Sequence, residues 1–147
     1  GYGLGAAIGS KVGNPDKYVI NIAGDGSFFM NCNELSTLAK HGIPVIELVF
    51  TNNVLGMVRQ WQRIFYGKRF SQTDIDRGTD MMKLAEAFGI EGVRITKKDE
   101  IEAGLKKALG CGRPCLVECV IDKDVNVLPM VAPGGDVLDP IMEISLD

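Results

Sequence analysis

The sequence predicts an α/β fold: a parallel sheet flanked by helices, followed by an irregular carboxyl-terminal tail. Three observations carry this. Short apolar runs bounded by glycine, proline or a charge read as buried strands. Stretches of helical period separate those runs, and regular alternation of strand and helix implies parallel βαβ units. From Val125 onward the chain is punctuated by proline and glycine and follows neither period, so it reads as a tail.

In chain order, Gly5 to Val12 predicts the first helix, and Tyr18-Val-Ile-Asn-Ile-Ala23 the first strand. Asn33 to Lys40 predicts a second helix ending at His41-Gly42. Glycine stops a helix by adopting the left-handed conformation, and an imidazole suits the negative end of the helix dipole. Pro44 to Thr51 predicts the second strand and Gly56 to Phe65 the third helix. Asp80 to Phe88, Gly92 to Thr96, Asp99 to Leu109 and Pro114 to Ile121 then predict helix, strand, helix and strand. Asp80 and Asp99 read as N-caps, because a short carboxylate accepts from the free amides of a first turn. Gly89 and Gly110, like Gly42, read as stops. Residues 1–124 thus form an α/β domain, and residues 125–147 a tail packing over it.

With 147 residues, 16 Lys+Arg against 19 Asp+Glu, and 46% hydrophobic content, the chain is an ordinary single domain. A domain of this size buries about 70% of its unfolded surface and needs no disulfide or structural metal. The net charge of −3 and the lack of a basic run exclude nucleic acid and anionic membrane as principal partners. No apolar stretch approaches the roughly 18 residues of a membrane span and no signal peptide is visible, so a cytoplasmic protein is expected. Opening on Gly1 without an initiator Met, the sequence reads as a piece of something longer. Cys111, Cys115 and Cys119 form C-x3-C-x3-C, which is no zinc or cluster spacing. Alternation puts Cys115 and Cys119 on one face of a strand, as reduced apolar fillers alongside a free Cys32.

Sites in such sheets lie at the carboxyl ends of strands. The first strand runs into Gly24-Asp25-Gly26-Ser27. Glycines there let the backbone approach a phosphate, with N–H groups pointing at the anion and the aspartate free to hold a cation. The second strand ends in Asn52-Asn53. An Asp carboxylate and an Asn amide oxygen converging on diphosphate oxygens make the hard oxygen set that Mg2+ prefers. Asp-Gly and Asn-Asn are also ordinary turn signals, and a tight turn would itself present a backbone carbonyl as a further ligand. A rival reading comes from Gly1-Tyr2-Gly3-Leu4-Gly5-Ala6, which fits G-x-G-x-x-A with Asp25 about 20 residues on, the dinucleotide fingerprint. That fingerprint needs a strand directly before its first glycine. A third reading is a non-catalytic assembly module, since a fold does not fix a function.

GDG, 25 intervening residues (27–51), then Asn52 and Val54-Leu55-Gly56-Met57-Val58-Arg59-Gln60-Trp61-Gln62 resemble the diphosphate-binding domain of thiamine diphosphate enzymes. The LGMVRQW run, the opening GYGLGAAIG and the late VLPMVAPGG are similar to the large catalytic subunits of acetolactate synthases, of which this would be the carboxyl-terminal part. Those subunits usually read N-N-x-V-L-G-M, so Thr51 takes the first Asn position, Asn52 the second and Asn53 the variable one. Counting by the doublet alone would instead choose Asn53 as ligand. Gly5 stands where the family usually has Pro.

The resemblance implies thiamine diphosphate and Mg2+, the metal held by Asp25, Asn52 and the backbone carbonyl of Val54. It places Gly24, Gly26, Ser27, Leu55 and Gly56 against the diphosphate, Met57 near the cofactor, and Val58 and Trp61 toward the second 2-oxo acid. The implied activity decarboxylates pyruvate and condenses the product with that acid in branched-chain amino acid biosynthesis. Another thiamine diphosphate-dependent decarboxylase or carboligase shares the cofactor motif. The family's activating carboxylate lies in another domain of a partner subunit, so no catalytic residue is expected in this chain. A second copy of the full subunit would complete the site, and the isolated chain would be inactive. The resemblance also admits a regulatory small subunit, and FAD held by a domain outside this chain.

Overall fold

Four strands, β1 (Val19–Gly24), β2 (Val45–Thr51), β3 (Glu91–Ile95) and β4 (Cys115–Val120), form one sheet in the order β1-β2-β4-β3. Every pairing is parallel, in a computed structural model that describes residues 1–144. The two central strands are apolar almost throughout, the usual pattern of parallel sheets, and only their carboxyl ends are open, with Phe50 and Val120 exposed. β1 is an edge strand and alternates instead, with Ile20 and Ile22 exposed.

The helices are α1 (Gly3–Gly13), α2 (Asp25–Phe29), α3 (Leu35–His41), α4 (Gly56–Phe65), α5 (Met81–Ala87) and α6 (Ile101–Gly110). One face of the sheet carries the larger core, built from Leu4, Ala7, Phe28, Leu35, Leu38, Met81 and Ala85 against Val45, Val49 and Leu116. On the other face Ala108 of α6 packs with Ile46, Val93, Ile95, Cys115 and Val117. Burying each such large side chain contributes about 1.5–3 kcal/mol. That core fixes the sheet, and the sheet fixes where its strand ends emerge.

The α/β architecture and α4 follow the sequence, and several local details differ. α1 begins two residues before Gly5, which sits exposed inside the helix. α2 is a separate five-residue helix starting at Asp25. Asp80 caps α5 as expected, accepting from Met82 N at 2.9 Å. Asp99 is no N-cap: it lies in a 3-10 turn, Lys98–Glu100. The carboxylate of Glu100 reaches back to Thr96 N at 2.8 Å and Lys97 N at 3.1 Å, a span for which the longer side chain is suited. Gly110 does not stop α6 but ends it in helical conformation, and the left-handed glycine is Gly112. Gly42 and Gly89 are left-handed as expected, with exposed His41 as the last residue of α3.

All four cysteines are free. Cys115 and Cys119 share the α6-side core, and burial pushes the Cys115 thiol up to about 12 and that of Cys119 upward as well. Both therefore stay protonated and act as apolar filling. After β4, the described residues to 144 form no helix or strand beyond one antiparallel bridge, Met130 to Ile141. Residues 145–147 of the expected tail lie outside the described residues. Among the described residues no helix is long and apolar enough to cross a membrane.

Candidate functional site

β1 and β2 pair in parallel with Gly24 opposite Phe50, so Asp25 and Asn52 leave the sheet side by side. Asp25 is only 3% exposed. Its Oδ1 accepts from Gly26 N at 2.7 Å, and its Oδ2 from Asn52 N at 3.1 Å and Asn53 N at 2.7 Å. Amide bonds to a carboxylate are of the stronger, charge-assisted kind, and here they tie the two strand ends together. The turn after β2 needs Asn53 at φ 58°, a left-handed conformation that asparagine tolerates. Asn52 Oδ1 accepts from Val54 N at 3.2 Å. Segment 73–75 runs beside this turn, with Leu55 N donating to Thr73 O and Ile75 N to Asn53 O, each at 2.8 Å.

These elements enclose an open cleft of about 330 Å3. Every residue expected on the cofactor or metal lines it: Gly24, Asp25, Gly26, Ser27, Asn52, Val54, Leu55, Gly56 and Met57. Two of the glycines sit where a side chain would be tight against a neighbour. A Cβ on Gly26 would stand 3.0 Å from Leu55 Cδ2, and one on Gly56 would stand 3.3 Å from Asn52 Nδ2. Val58 lines the cleft too, but Trp61 does not. Trp61, with Val58, Gln62, Tyr66 and Arg69, lines a neighbouring depression of about 510 Å3. It stacks edge-on against Phe65, centroids 5.7 Å apart. Val58 borders both spaces, so the two residues expected at the acceptor end stand one behind the other.

The donor set fits a hard cation on a diphosphate. A carboxylate offers about four lone-pair sites; three amide bonds occupy Asp25, leaving room for one further partner. Asn52 Oδ1 likewise accepts a single bond. Among the described residues no three His, Cys, Asp or Glu side chains gather to hold a metal, so an ion here would rest on amide and carbonyl oxygens beside one carboxylate. That chemistry suits Mg2+ better than a softer ion.

Sequence reasoning missed Phe50 and Ile121, which also line the cleft. Ile121 follows β4, the other neighbour of β2, and only the strand order reveals it. Thr51, at the end of β2, buries its hydroxyl without a hydrogen-bond partner among the described residues. The dinucleotide reading fails on geometry. Asp25 is buried and occupied by backbone amides instead of facing a ribose. Gly3 serves close packing, its would-be Cβ falling 2.5 Å from Asn21 Oδ1.

The family described as "Thiamine pyrophosphate enzyme, C-terminal TPP binding domain" matches residues 1–119. The chain is 45% identical over 146 residues to a "Probable acetolactate synthase large subunit" of Methanococcus aeolicus, covering 97% of this chain and 24% of that protein. It is 48% identical over 145 residues to the "Acetolactate synthase catalytic subunit, mitochondrial" of Saccharomyces cerevisiae, covering 99% and 21%. The solved "Rhodococcus jostii RHA1 thiamine diphosphate-dependent 4-hydroxybenzoylformate decarboxylase" superposes with a TM-score of 0.75 at 30% identity, covering 82% of this chain and 23% of that one. The chain thus spans no more than about a quarter of the curated relatives it matches.

Proposed function

The chain belongs to the family of C-terminal TPP-binding domains of thiamine pyrophosphate enzymes, and from that premise we propose that it is the diphosphate- and Mg2+-holding part of an acetolactate synthase. The observation that supports this most is the pair of adjacent parallel strand ends that bring Asp25 and Asn52 to one cleft, with Gly26 and Gly56 packed tightly against side chains beside them. In this reading residues 1–124 bind the cofactor and residues 125–147 are a tail on that domain.

Thiamine diphosphate, when bound, supplies the electron-sink chemistry that splits a 2-oxo acid. This chain binds and orients. Asp25, Asn52 and the Val54 carbonyl hold Mg2+, which neutralises the diphosphate. Gly24, Gly26, Ser27, Leu55 and Gly56 give its oxygens close backbone approach. Met57 packs on the cofactor, while Val58 and Trp61 wall the space where a second 2-oxo acid enters. Pyruvate and that acid are small-molecule partners, and branched-chain amino acid biosynthesis is the setting. A second copy of the longer subunit supplies the remaining half of the site.

The discriminating experiment lies in the register at Thr51-Asn52-Asn53. In the longer enzyme, Asn52→Ala should weaken thiamine diphosphate and Mg2+ binding at least about tenfold, as loss of even an outer-shell partner of a metal does. Asn53→Gly, which keeps the left-handed turn and removes only the side-chain amide, should stay close to wild type. A larger loss for Asn53→Gly would move the ligand by one residue.

A further inference from the structure

Helix α4 carries Met57 and Val58 into the cleft, yet the only buried side chain of the helix is polar: Gln60, 4% exposed. Its carboxamide grips one backbone unit from both sides. Nε2 donates to Val127 O at 3.0 Å, and Oε1 accepts from Val127 N at 2.7 Å. Two residues on, Gln62 repeats the pattern on a different segment, donating to Ser71 O at 3.1 Å and accepting from Ser71 N at 3.0 Å. Arg59 and Arg63, one turn apart, both pair with Asp124, Arg59 Nε at 2.9 Å.

A buried amide is costly unless both its ends are bonded. Packing alone would be served better by an apolar residue at position 60. Pairing with both N–H and C=O of one residue also fixes register and orientation, as a neighbouring strand does. We infer that Gln60, seconded by Gln62, is a positioning residue: the two carboxamides suspend α4 between the tail at Val127 and the segment at Ser71, and so set where Met57 and Val58 stand across the cleft from Asp25 and Asn52. This rests on the reading of the cleft as the cofactor and acceptor site. It makes the tail part of the scaffold of that site.

Gln60→Met keeps the length of the side chain and removes the two-sided grip. In the longer enzyme without cofactor, amide exchange across residues 56–65 should rise about tenfold or more while β1 and β2 stay protected, the mark of a local opening. In the loaded enzyme, thiamine diphosphate affinity should hold within about threefold while KM for the acceptor 2-oxo acid rises by about tenfold, the size expected from one lost hydrogen bond or two. Gln62→Leu, at a less buried position where folding is not at stake, should move both readouts the same way by less. Unchanged exchange in α4 in both variants, or an equal rise in α4 and the sheet, would overturn the inference. A wild-type enzyme that binds no thiamine diphosphate would overturn the reading beneath it, and the exchange result would still decide the grip itself.

Discussion

Glu47 sits in the middle of β2 with no exposed surface, and Asn21 Nδ2 donates to both of its carboxylate oxygens, at 2.9 and 2.8 Å. Burial raises its pKa from 4.5 to about 7, with the Asn21 hydrogen bonds opposing. The native state therefore binds more protons than the unfolded chain between those two values. Stability falls as pH rises through that window and is flat above it, the total loss being at most about 3 kcal/mol. Glu47→Gln should abolish the slope: denaturant unfolding at about pH 5 and about pH 8 should give equal stability for the variant and a drop only for wild type. Parallel drops in both would place the titrating group elsewhere. Nothing in Pro44-Val-Ile-Glu-Leu-Val-Phe-Thr51 marks this carboxylate, because the run is apolar on both faces around it and alternation offers no polar side on which to place it. Asp25 was legible for a different reason: alone between glycines it is an ordinary turn signal, and only Asn52-Asn53 at the end of the next strand pointed to a shared site.

α4 matches its sequence prediction at both ends, whereas five-residue α2 is too short for a period to appear. The misassigned cap and stop around α6 have a common cause: Asp99 and Glu100, or Gly110 and Gly112, offer the same chemistry within two residues, and only the path of the chain selects between them. The grip of Gln60 and Gln62 was not legible at all, for their partners lie 67 and 9 residues away and are backbone atoms. α4 turns a second, open face outward at Val58 and Trp61. Trp61→Leu in the longer enzyme should keep acetolactate formation and shift the competition between pyruvate and a 2-oxo acid one methylene longer, since a pocket wall discriminates a methylene by about 1–3 kcal/mol. A variant with an unchanged product ratio and a lowered melting midpoint would make Trp61 a packing residue. Its place one residue behind the cleft, next to Val58, could not be read from helical spacing, which puts Met57 and Trp61 on one face without saying how far each reaches.

The parallel sheet brings the turns after β1 and β2 to one end, while the group expected to activate the cofactor is not expected in this chain. The isolated 147-residue chain should accordingly form no acetolactate from pyruvate, even with thiamine diphosphate and Mg2+ in excess; turnover by the chain alone would show that it contains its own activating group. The architecture was legible because strand and helix alternate without ambiguity. The strand order was not, and with it went the contribution of Ile121. In the proposed arrangement one buried carboxylate at the end of β1, Asp25, anchors the metal that carries the diphosphate. Titrating thiamine diphosphate into the longer enzyme at saturating Mg2+, wild type against Asp25→Ala, tests this most directly. Affinity should fall by about a hundredfold or more, a loss of about 2.7 kcal/mol, and added Mg2+ should not restore it; equal affinity in the two proteins would contradict the account.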